Sequence, residues 1–343
     1  MTKAKAIFLK SFPKGLPSSA DFVLRDIDVG APNDGEVLMR PVWMSVDPYM
    51  RGRMNPGVKS YIPPFTLDAP LDGGVVGQVV ESRSDNFSKG DYAVGFMGGW
   101  RTLAVVPAMT LTKVDPSIAP LSAFLGVLGM PGFTAWVGLN EIMKPKQGET
   151  LFVSGAAGAV GSLAVQLGKL KGMRVVASAG SRAKCAWLRE EGGADVAINY
   201  KDHPTPESLS EALAKAAPNG VDCYFENVGG AHLEAALNNI AFGGRIALCG
   251  MISMYNNVEL EPGPRNLFMM IGRGVMAQGF IVSNYMAQAP RFAMETAPLL
   301  MQGKIKFRES VYDGLDKAPE AFIGLFKGEN FGKAVVRVGP DKI

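Results

Sequence analysis

A glycine-rich turn between an apolar strand and a helix constrains this chain more than any other feature. Residues 151–161 read LFVSGAAGAVG. Gly158 and Gly161 occupy the second and third glycine positions of the G-x-G-x-x-G pattern, while Ala156 stands at the first. Small residues let the backbone approach a pyrophosphate, which the N–H groups and positive dipole end of the next helix bind. By itself, such a turn fits strand–helix packing equally well.

Around that turn, apolar runs alternate with helical stretches from about residue 120 onward. The predicted strands are Leu151–Ser154, Arg174–Ala179, Ala194–Asn199, Val221–Asn227 and Arg245–Gly250. The predicted helices between them include Ala159–Lys171, Ala183–Glu191, Ser208–Ala217 and His232–Ile240. This alternation predicts an α/β fold with a doubly wound parallel sheet. Within that pattern, the glycine turn is better explained as a dinucleotide-binding site than as packing alone.

The N-terminal third has a different character. Short apolar runs separated by glycine and proline fill roughly the first 115 residues, which predicts a compact β-rich unit. Residues 332–338, near the C-terminus, return to the same β character. A length of 343 residues predicts two domains, with three as the alternative.

The end of the second strand predicts which dinucleotide binds. NAD sites usually place an acidic residue about 20 residues after the glycine turn, where it binds the ribose 2′-hydroxyl. Residues 177–184 read ASAGSRAK and contain no acid. Ser181 and Lys184 suit a 2′-phosphate, which a carboxylate would repel, so we predict NADP (NADPH). The alternative is that Arg182 and Lys184 are solvated residues at a helix start.

Composition excludes several classes of function. The 35 basic and 32 acidic residues are spread along the chain without a basic stripe, so no nucleic-acid partner is expected. Two histidines and three cysteines, with no C-x-x-C, provide no cluster resembling a catalytic zinc site. A G-x-S-x-G nucleophile elbow is also absent from the sequence. We therefore expect chemistry without a metal, carried out by hydroxyl groups.

Targeting signals and cysteine usage predict the compartment. The N-terminal apolar run is too short for a secretory signal, and three cysteines cannot form a disulfide framework. Residues 116–140 carry no charge, but prolines and glycines interrupt them, so we expect a buried helical segment at a domain junction rather than a membrane span. These observations predict a cytoplasmic protein without a membrane partner.

Two tyrosines stand in segments that suit catalysis. Tyr255 lies in the segment directly after a predicted central strand, Arg245–Gly250, and ligands of open α/β sheets bind beyond the carboxyl ends of strands. Tyr49 and Arg51 lie on a predicted turn within residues 44–54. Each tyrosine is also compatible with a packing role.

The chain resembles the medium-chain dehydrogenase/reductase superfamily over essentially its whole length. The segments that carry this resemblance are SVDPYMRG at 45–52, GMPGFTA at 129–135, AAGAVGS at 156–162, YFENVGG at 224–230 and GENFGK at 328–333. Among its branches, the chain looks like the zinc-independent NADPH-dependent alkenal, enone and prostaglandin (leukotriene B4 12-hydroxydehydrogenase-type) reductases. Residues 47–54 and 279–282 look most like the curcumin-reductase-like members.

The resemblance implies a GroES-like catalytic domain at 1–125, completed by 305–343, and a Rossmann NADP-binding domain at 126–304. The implied catalytic residues are Tyr255 and Tyr49, and the substrate residues are Tyr49, Arg51 and Tyr61. The implied cofactor-binding residues are Ala157, Gly158, Ala159, Val160, Gly161, Ser181, Lys184, Tyr200, Asn227, Cys249, Gly250, Ile252, Ser253, Tyr255, Phe280, Ile281, Val282 and Asn330. A homodimer is expected, with residues 274–282 supplying an edge strand that pairs with its copy.

The expected reaction is reduction of the C=C bond of an α,β-unsaturated aldehyde or ketone, a small-molecule substrate. NADPH gives hydride to the β-carbon, and Tyr255 and the ribose 2′-hydroxyl stabilise the enolate. One alternative is an NADPH quinone oxidoreductase of the same superfamily. Another is a non-catalytic NADPH-binding protein with a sensing or structural role. The substrate loop at 55–70 varies most among such enzymes, so the resemblance does not identify the substrate.

Overall fold

The computed structural model describes residues 1–259 and 261–340, and its strands and helices alternate in the second half of the chain as predicted. The strands, in chain order, are β1 (Thr2–Leu9), β2 (Phe22–Val29), β3 (Glu36–Ser45), β4 (Val75–Ser82), β5 (Tyr92–Gly95), β6 (Ala104–Pro107), β7 (Leu111–Val114), β8 (Thr150–Val153), β9 (Arg174–Ala179), β10 (Val196–Asn199), β11 (Val221–Glu226), β12 (Ile240–Leu248), β13 (Met276–Gly279), β14 (Glu309–Asp313) and β15 (Lys333–Arg337). The helices are α1 (Met50–Arg53), α2 (Met130–Val137), α3 (Ala159–Leu170), α4 (Arg182–Glu190), α5 (Pro206–Ala216), α6 (Ala231–Asn239), α7 (Met269–Arg273), α8 (Ala289–Met301) and α9 (Ala318–Lys327).

Two structural units divide the chain. Unit 1 contains Met1–Gly126 and the C-terminal segment that begins at Glu309, and unit 2 contains Val127–Arg308. The predicted catalytic segment began at 305, so residues 305–308 pack with unit 2 instead. Residues 341–343 of the predicted segment lie outside the described residues. The functional roles predicted for the two units stay predictions.

Unit 1 is built on a mostly antiparallel sheet in the order β14-β15-β3-β4-β5-β7, with β6 also paired to β3. The C-terminal strand β15 pairs antiparallel with β3, where Val335 lies opposite Ser45. A buried aromatic cluster of Phe22, Trp100 and Phe322 packs with Met50, at the start of α1. This core anchors the turn that carries Tyr49.

Unit 2 contains a parallel sheet in the order β10-β9-β8-β11-β12-β13. The order reverses between β8 and β11, as in doubly wound dinucleotide-binding folds. Continuous apolar strands suit this sheet because helices cover both of its faces. Phe152 and Tyr224 stack at 5.0 Å between centroids and sit in a buried apolar cluster of the unit. The predicted α/β fold class, a β-rich unit plus a Rossmann-like parallel sheet, is confirmed.

The uncharged segment at 116–140 forms short helical pieces. A 3₁₀ helix spans Leu121–Leu125 and is followed by α2, whose side chains are mostly buried. Among the described residues, no helix is both long and apolar enough to span a membrane.

Candidate active site

The glycine turn joins β8 to α3 as the sequence predicts. Gly155 adopts a φ of +57°, so the tight turn is made there rather than at Ala156, the position aligned with the first glycine of the pattern. The Gly158 N–H donates to the Gly155 carbonyl at 3.0 Å, and Gly158 caps the helix. A Cβ on Gly161 would lie 2.4 Å from the Gly155 oxygen, so only glycine permits this close packing.

The predicted 2′-phosphate residues come together at the ends of β9 and β10. Ser181 is the N-cap of α4 and accepts a hydrogen bond from the Lys184 amide at 3.2 Å. A Cβ on Gly180 would lie 2.7 Å from the Tyr200 hydroxyl, so that ring lies against the turn after β9. Burial, followed by the nearby Lys201, lowers the pKa of Lys184. Two lysines near one another, with no acid in the turn, form a basic corner.

A buried histidine supports this corner from within the fold. The His232 Nε2 is 2.9 Å from the Ser178 hydroxyl, and the Ser178 carbonyl accepts from the Ala156 amide of the glycine turn. The Tyr200 ring meets the His232 ring edge-on at 5.1 Å. Burial lowers the pKa of His232 to about 4, so the ring is neutral at pH 7. Its position makes it a structural residue beneath the glycine turn.

The turn after β11 contains Asn227 and a buried acid. The Asn227 side chain donates to the Ser154 carbonyl at 2.8 Å, and its backbone N–H donates to the Ser154 hydroxyl at 2.9 Å. These bonds join the turn after β11 to the glycine turn, on the two sides of the point where the strand order reverses. Glu226, the last residue of β11, is fully buried.

The segment 249–255 docks against that turn. The Cys249 and Gly250 amides donate to the Glu226 carbonyl, and the Ile252 amide donates to the Asn227 carbonyl. Ser253 donates to the Val228 carbonyl from both its amide and its hydroxyl, at 3.1 and 2.6 Å. The Tyr255 hydroxyl accepts a hydrogen bond from the Met251 amide at 3.2 Å. Its own proton remains able to donate to another group.

The surroundings of the Tyr255 hydroxyl keep it in the protonated form that can donate a hydrogen bond. Burial raises the pKa of its hydroxyl, and the hydrogen bond from Met251 opposes that shift. A raised pKa keeps the phenol protonated at neutral pH. Burial likewise raises the pKa of the neighbouring Cys249 thiol to about 12, so it is a poor nucleophile.

The loop after β13 contains the remaining predicted residues of unit 2. Phe280, Ile281 and Val282 are partly exposed, and the Phe280 ring meets Phe225 edge-on at 6.5 Å. The predicted cofactor residues of unit 2 lie in the loops that follow β8, β9, β10, β11, β12 and β13. Because the sheet is parallel, these loops all lie at the carboxyl ends of the strands. This edge of the sheet therefore carries every cofactor residue predicted within unit 2.

In unit 1, Tyr49 lies on a turn held by a buried ion pair. Lys333 of β15 donates to Asp47 at 3.0 Å and to the Val46 carbonyl at 2.8 Å. Ser45 also donates to Asp47 through a short hydrogen bond. Burial raises the pKa of Tyr49 well above its usual range, and Asp47 adds to that shift. The hydroxyl therefore stays protonated.

The other predicted residues of unit 1 have different surroundings. The buried Arg51 guanidinium donates to the carbonyls of Gly15 at 2.9 Å and Pro13 at 3.2 Å, so it holds the 13–15 loop. Tyr61 is exposed and lies close enough to Tyr49 to influence its pKa. The Asn330 side chain donates to the Gly332 carbonyl at 2.8 Å.

Sequence reasoning missed several residues that shape these sites. Gly155 was not predicted as the turn residue because Ala156 aligns with the first glycine of the pattern, although a glycine is itself a direct signal for a positive φ. His232 and the Asp47–Lys333 pair give no local signal, because their partners are distant in sequence, and the same holds for the bond from Ser154 to Glu226. Within residues 1–259 and 261–340, no group of three or more histidine, cysteine or acidic side chains is arranged to hold a metal ion.

Comparison with known proteins decides the family. A family model described as the N-terminal domain of oxidoreductase matches residues 5–114, and one described as zinc-binding dehydrogenase matches residues 159–297. The NADPH-dependent curcumin reductase of Escherichia coli is 43% identical over 338 residues, which cover 97% of this chain and 96% of that protein. The chain belongs to the medium-chain dehydrogenase/reductase family. The predicted resemblance to the alkenal and enone reductase branch is confirmed.

Two further relatives agree with this placement within the medium-chain dehydrogenase/reductase family. The NADP(+)-dependent 2-alkenal reductase of Nicotiana tabacum is 41% identical over 338 residues, covering 97% of each chain. The crystal structure of CurA from Vibrio vulnificus, solved in complex with NADPH, superposes with a TM-score of 0.91 at 41% identity. That match covers 98% of this chain and 99% of CurA.

Proposed function

We propose that this protein catalyses the NADPH-dependent reduction of the C=C bond of α,β-unsaturated aldehydes and ketones. The observation that carries the proposal is the placement of Tyr255, a protonated donor, on the same sheet edge as the glycine turn and the basic corner. The relatives that act on curcumin and 2-alkenals support the substrate class.

The residues of unit 2 fit NADPH. The glycine turn leaves room for a pyrophosphate beside the N-terminus of α3, where backbone N–H groups lack intrahelical partners. Ser181, Lys184 and Tyr200 form the corner that would receive the 2′-phosphate. The remaining cofactor residues proposed in unit 2 are Asn227, Cys249, Gly250, Ile252, Ser253 and the run from Phe280 to Val282. When bound, NADPH supplies the hydride.

Tyr255 stabilises the charge that develops during hydride addition. Hydride delivery to the β-carbon shifts negative charge onto the substrate carbonyl oxygen, and a proton from water or a hydroxyl group then adds to the α-carbon to complete the reduction. A hydroxyl placed to donate to that oxygen lowers the barrier, because the bond strengthens as the charge grows. The hydrogen bond that the Tyr255 oxygen accepts from Met251 increases its strength as a donor. The ribose 2′-hydroxyl is a second donor in this proposal.

Unit 1 supplies the proposed substrate residues. Tyr49, Arg51 and Tyr61 belong to the segment that binds substrate, and Asn330 contributes to cofactor binding. Arg51 exerts its effect by fixing the 13–15 loop, since its guanidinium is already bonded to two carbonyls. In this proposal, unit 1 is the catalytic domain and unit 2 the NADP-binding domain.

We also propose a homodimer that acts in the cytosol. Strand β13 is an outer strand of the parallel sheet, and its backbone edge offers hydrogen bonds to another strand. Near it, Phe268 and Ile271 of the α7 region are exposed, Ile271 to 86%. A two-fold axis would pair β13 with its copy and cover these side chains. Light scattering should give twice the 36.5 kDa chain mass at micromolar concentration.

The deciding experiment is an oxidation assay of NADPH with a panel of enals, enones, quinones and a dienone. Steady turnover with enones and enals, and slower turnover with NADH, is the expected result. Turnover with quinones alone would favour a quinone oxidoreductase, and no turnover with any acceptor would favour a non-catalytic NADPH-binding protein. Prolonged EDTA treatment should leave the rate unchanged, since no metal takes part in the proposed chemistry.

A further inference from the structure

Glu226 is a buried acid whose two oxygens have unequal surroundings. Its Oε1 accepts hydrogen bonds from the Ser154 hydroxyl at 2.8 Å and from the amides of Val228 and Gly229 at 2.6 and 2.9 Å. Its Oε2 is buried and has no hydrogen-bond partner among the described residues. A buried polar atom without a partner is costly, so the three bonds at Oε1 must offset that cost.

The turn that Glu226 holds is the platform for the Tyr255 segment. The amides of Val228 and Gly229 both donate to the same carboxyl oxygen, and Gly229 adopts a φ of +81°. The Val228 carbonyl then accepts both hydrogen bonds from Ser253. The backbone carbonyl of Glu226 itself accepts from Cys249 and Gly250. The Glu226 carboxyl is therefore connected to the segment that carries Tyr255 through the turn at residues 227–229.

The same carboxyl reaches the glycine turn on its other side. Ser154, which donates to Glu226, is the first residue after β8, and its hydroxyl also accepts from the Asn227 amide. The Tyr224 hydroxyl donates to this serine at 3.1 Å. Burial raises the pKa of Glu226, while the amides of Gly229 and Val228 oppose that shift. One buried group thus joins two segments of the proposed cofactor site.

We propose that Glu226 is a positioning residue for Tyr255, acting by fixing the 227–229 turn on which residues 249–255 dock. The inference rests on the proposed function for its catalytic consequence, but the positioning itself is a property of the fold. What the site requires is a buried acceptor oxygen at Oε1. A glutamine in the same place keeps that oxygen, whereas an alanine leaves the amides of Val228 and Gly229 and the Ser154 hydroxyl without their acceptor.

Kinetics of two variants test the catalytic consequence. Glu226→Ala should lower kcat about tenfold, with a smaller change in KM for NADPH, since a displaced donor weakens mainly the transition state. Glu226→Gln should retain kcat within roughly threefold, because the acceptor remains. The matched control is Glu149→Gln, just before β8, where the acid pairs with Arg245. It should lower stability and leave kcat unchanged.

Hydrogen–deuterium exchange tests the positioning without turnover. In Glu226→Ala, the amides of residues 249–253 should exchange at least about tenfold faster than in the wild type, while Glu226→Gln and Glu149→Gln leave them protected. If Glu226→Ala does not fold, Ser253→Ala provides the second variant, since that serine is exposed and its loss removes one bond to Val228. It should speed exchange of residues 251–255 and lower kcat a few-fold.

Unchanged exchange of residues 249–253 in Glu226→Ala, or equal losses of kcat in the alanine and glutamine variants, would overturn the proposal. A wild-type enzyme inactive on every enone would instead overturn the proposed function. In that case, the exchange measurement still decides whether Glu226 positions this segment.

Discussion

The two tyrosine-bearing segments are held in place by different means. Tyr255 sits on a segment fixed by hydrogen bonds to the turn after β11, and most of the acceptors are backbone carbonyls less than about 30 residues away. Tyr49 sits on a turn fixed by a buried ion pair with Lys333, 286 residues away along the chain. Hydrogen bonds to the backbone of a turn 23–25 residues away therefore support one tyrosine, while the other depends on a charge from the C-terminal strand. The two segments should respond differently to mutation.

Breaking the ion pair should have the largest effect. Lys333→Met leaves Asp47 buried without its cation, and such a loss typically costs about 3–5 kcal/mol in the free energy of unfolding. Denaturant titration measures this change. The double variant Asp47→Asn with Lys333→Met should recover part of the loss, because no unpaired charge remains. Lys317→Met, in an exposed pair, is the control and should change stability little. A Lys333→Met protein as stable as the wild type would refute the role given to this pair.

The buried histidine of unit 2 should make stability depend on pH. Its pKa is about 4 in the fold and 6.5 when unfolded, so the unfolded state binds the proton first as the pH falls. Stability is lost between pH 6.5 and 4, by about 3 kcal/mol in total and about 2 kcal/mol by pH 5.

Denaturant titrations of the wild type and of His232→Gln at pH 7 and pH 5 check this prediction. The difference in unfolding free energy between the two proteins should shrink by about 2 kcal/mol at the lower pH. His203→Gln leaves His232 in place, so its unfolding free energy should change between pH 7 and pH 5 as that of the wild type does. A constant difference between the wild type and His232→Gln would show that His232 is not buried as a neutral ring.

Removing the hydroxyl of each tyrosine in turn distinguishes the catalytic roles of Tyr255 and Tyr49. Tyr255→Phe should lower kcat about 10-fold to 100-fold, less than the loss of a sole oxyanion donor because the ribose hydroxyl shares the task. The effect should appear in kcat more than in the KM for NADPH. Steady-state kinetics with a simple enone measures it. If Tyr49→Phe shows the larger loss and Tyr255→Phe none, the roles of the two residues are reversed.

The smallest effect is expected at the basic corner. Lys184→Ala removes one cation from the proposed 2′-phosphate site, so the KM for NADPH should rise several-fold, roughly 1 kcal/mol. The KM for NADH should change little, because NADH lacks the phosphate. The exposed Arg182→Ala, at the adjacent helix start, is a matched comparison. Equal changes for both cofactors would remove Lys184 from the 2′-phosphate site.

Local patterns predicted the elements of unit 2 well. Strand β9 spans the predicted residues, and α3 begins at the predicted Ala159. These elements were readable because apolar runs, helix periodicity and glycine positions are all local signals. The helix α9 was not predicted, since the C-terminal segment was interpreted only as a return to β structure. Its buried residues pack in the unit 1 core with partners such as Trp100, so its burial depends on distant sequence.

The sequence by itself determined the parallel sheet, the glycine turn and the acid-free second strand end, because each depends on neighbours a few residues apart. The tertiary structure decided which polar groups would be buried together. Lys333 meets Asp47 only because β15 pairs with β3, and Glu226 meets Ser154 only because β11 pairs with β8. Strand pairing brings together residues that are far apart along the chain, and no local sequence pattern predicts that they will be in contact. A buried polar group is tolerated only where such a partner arrives.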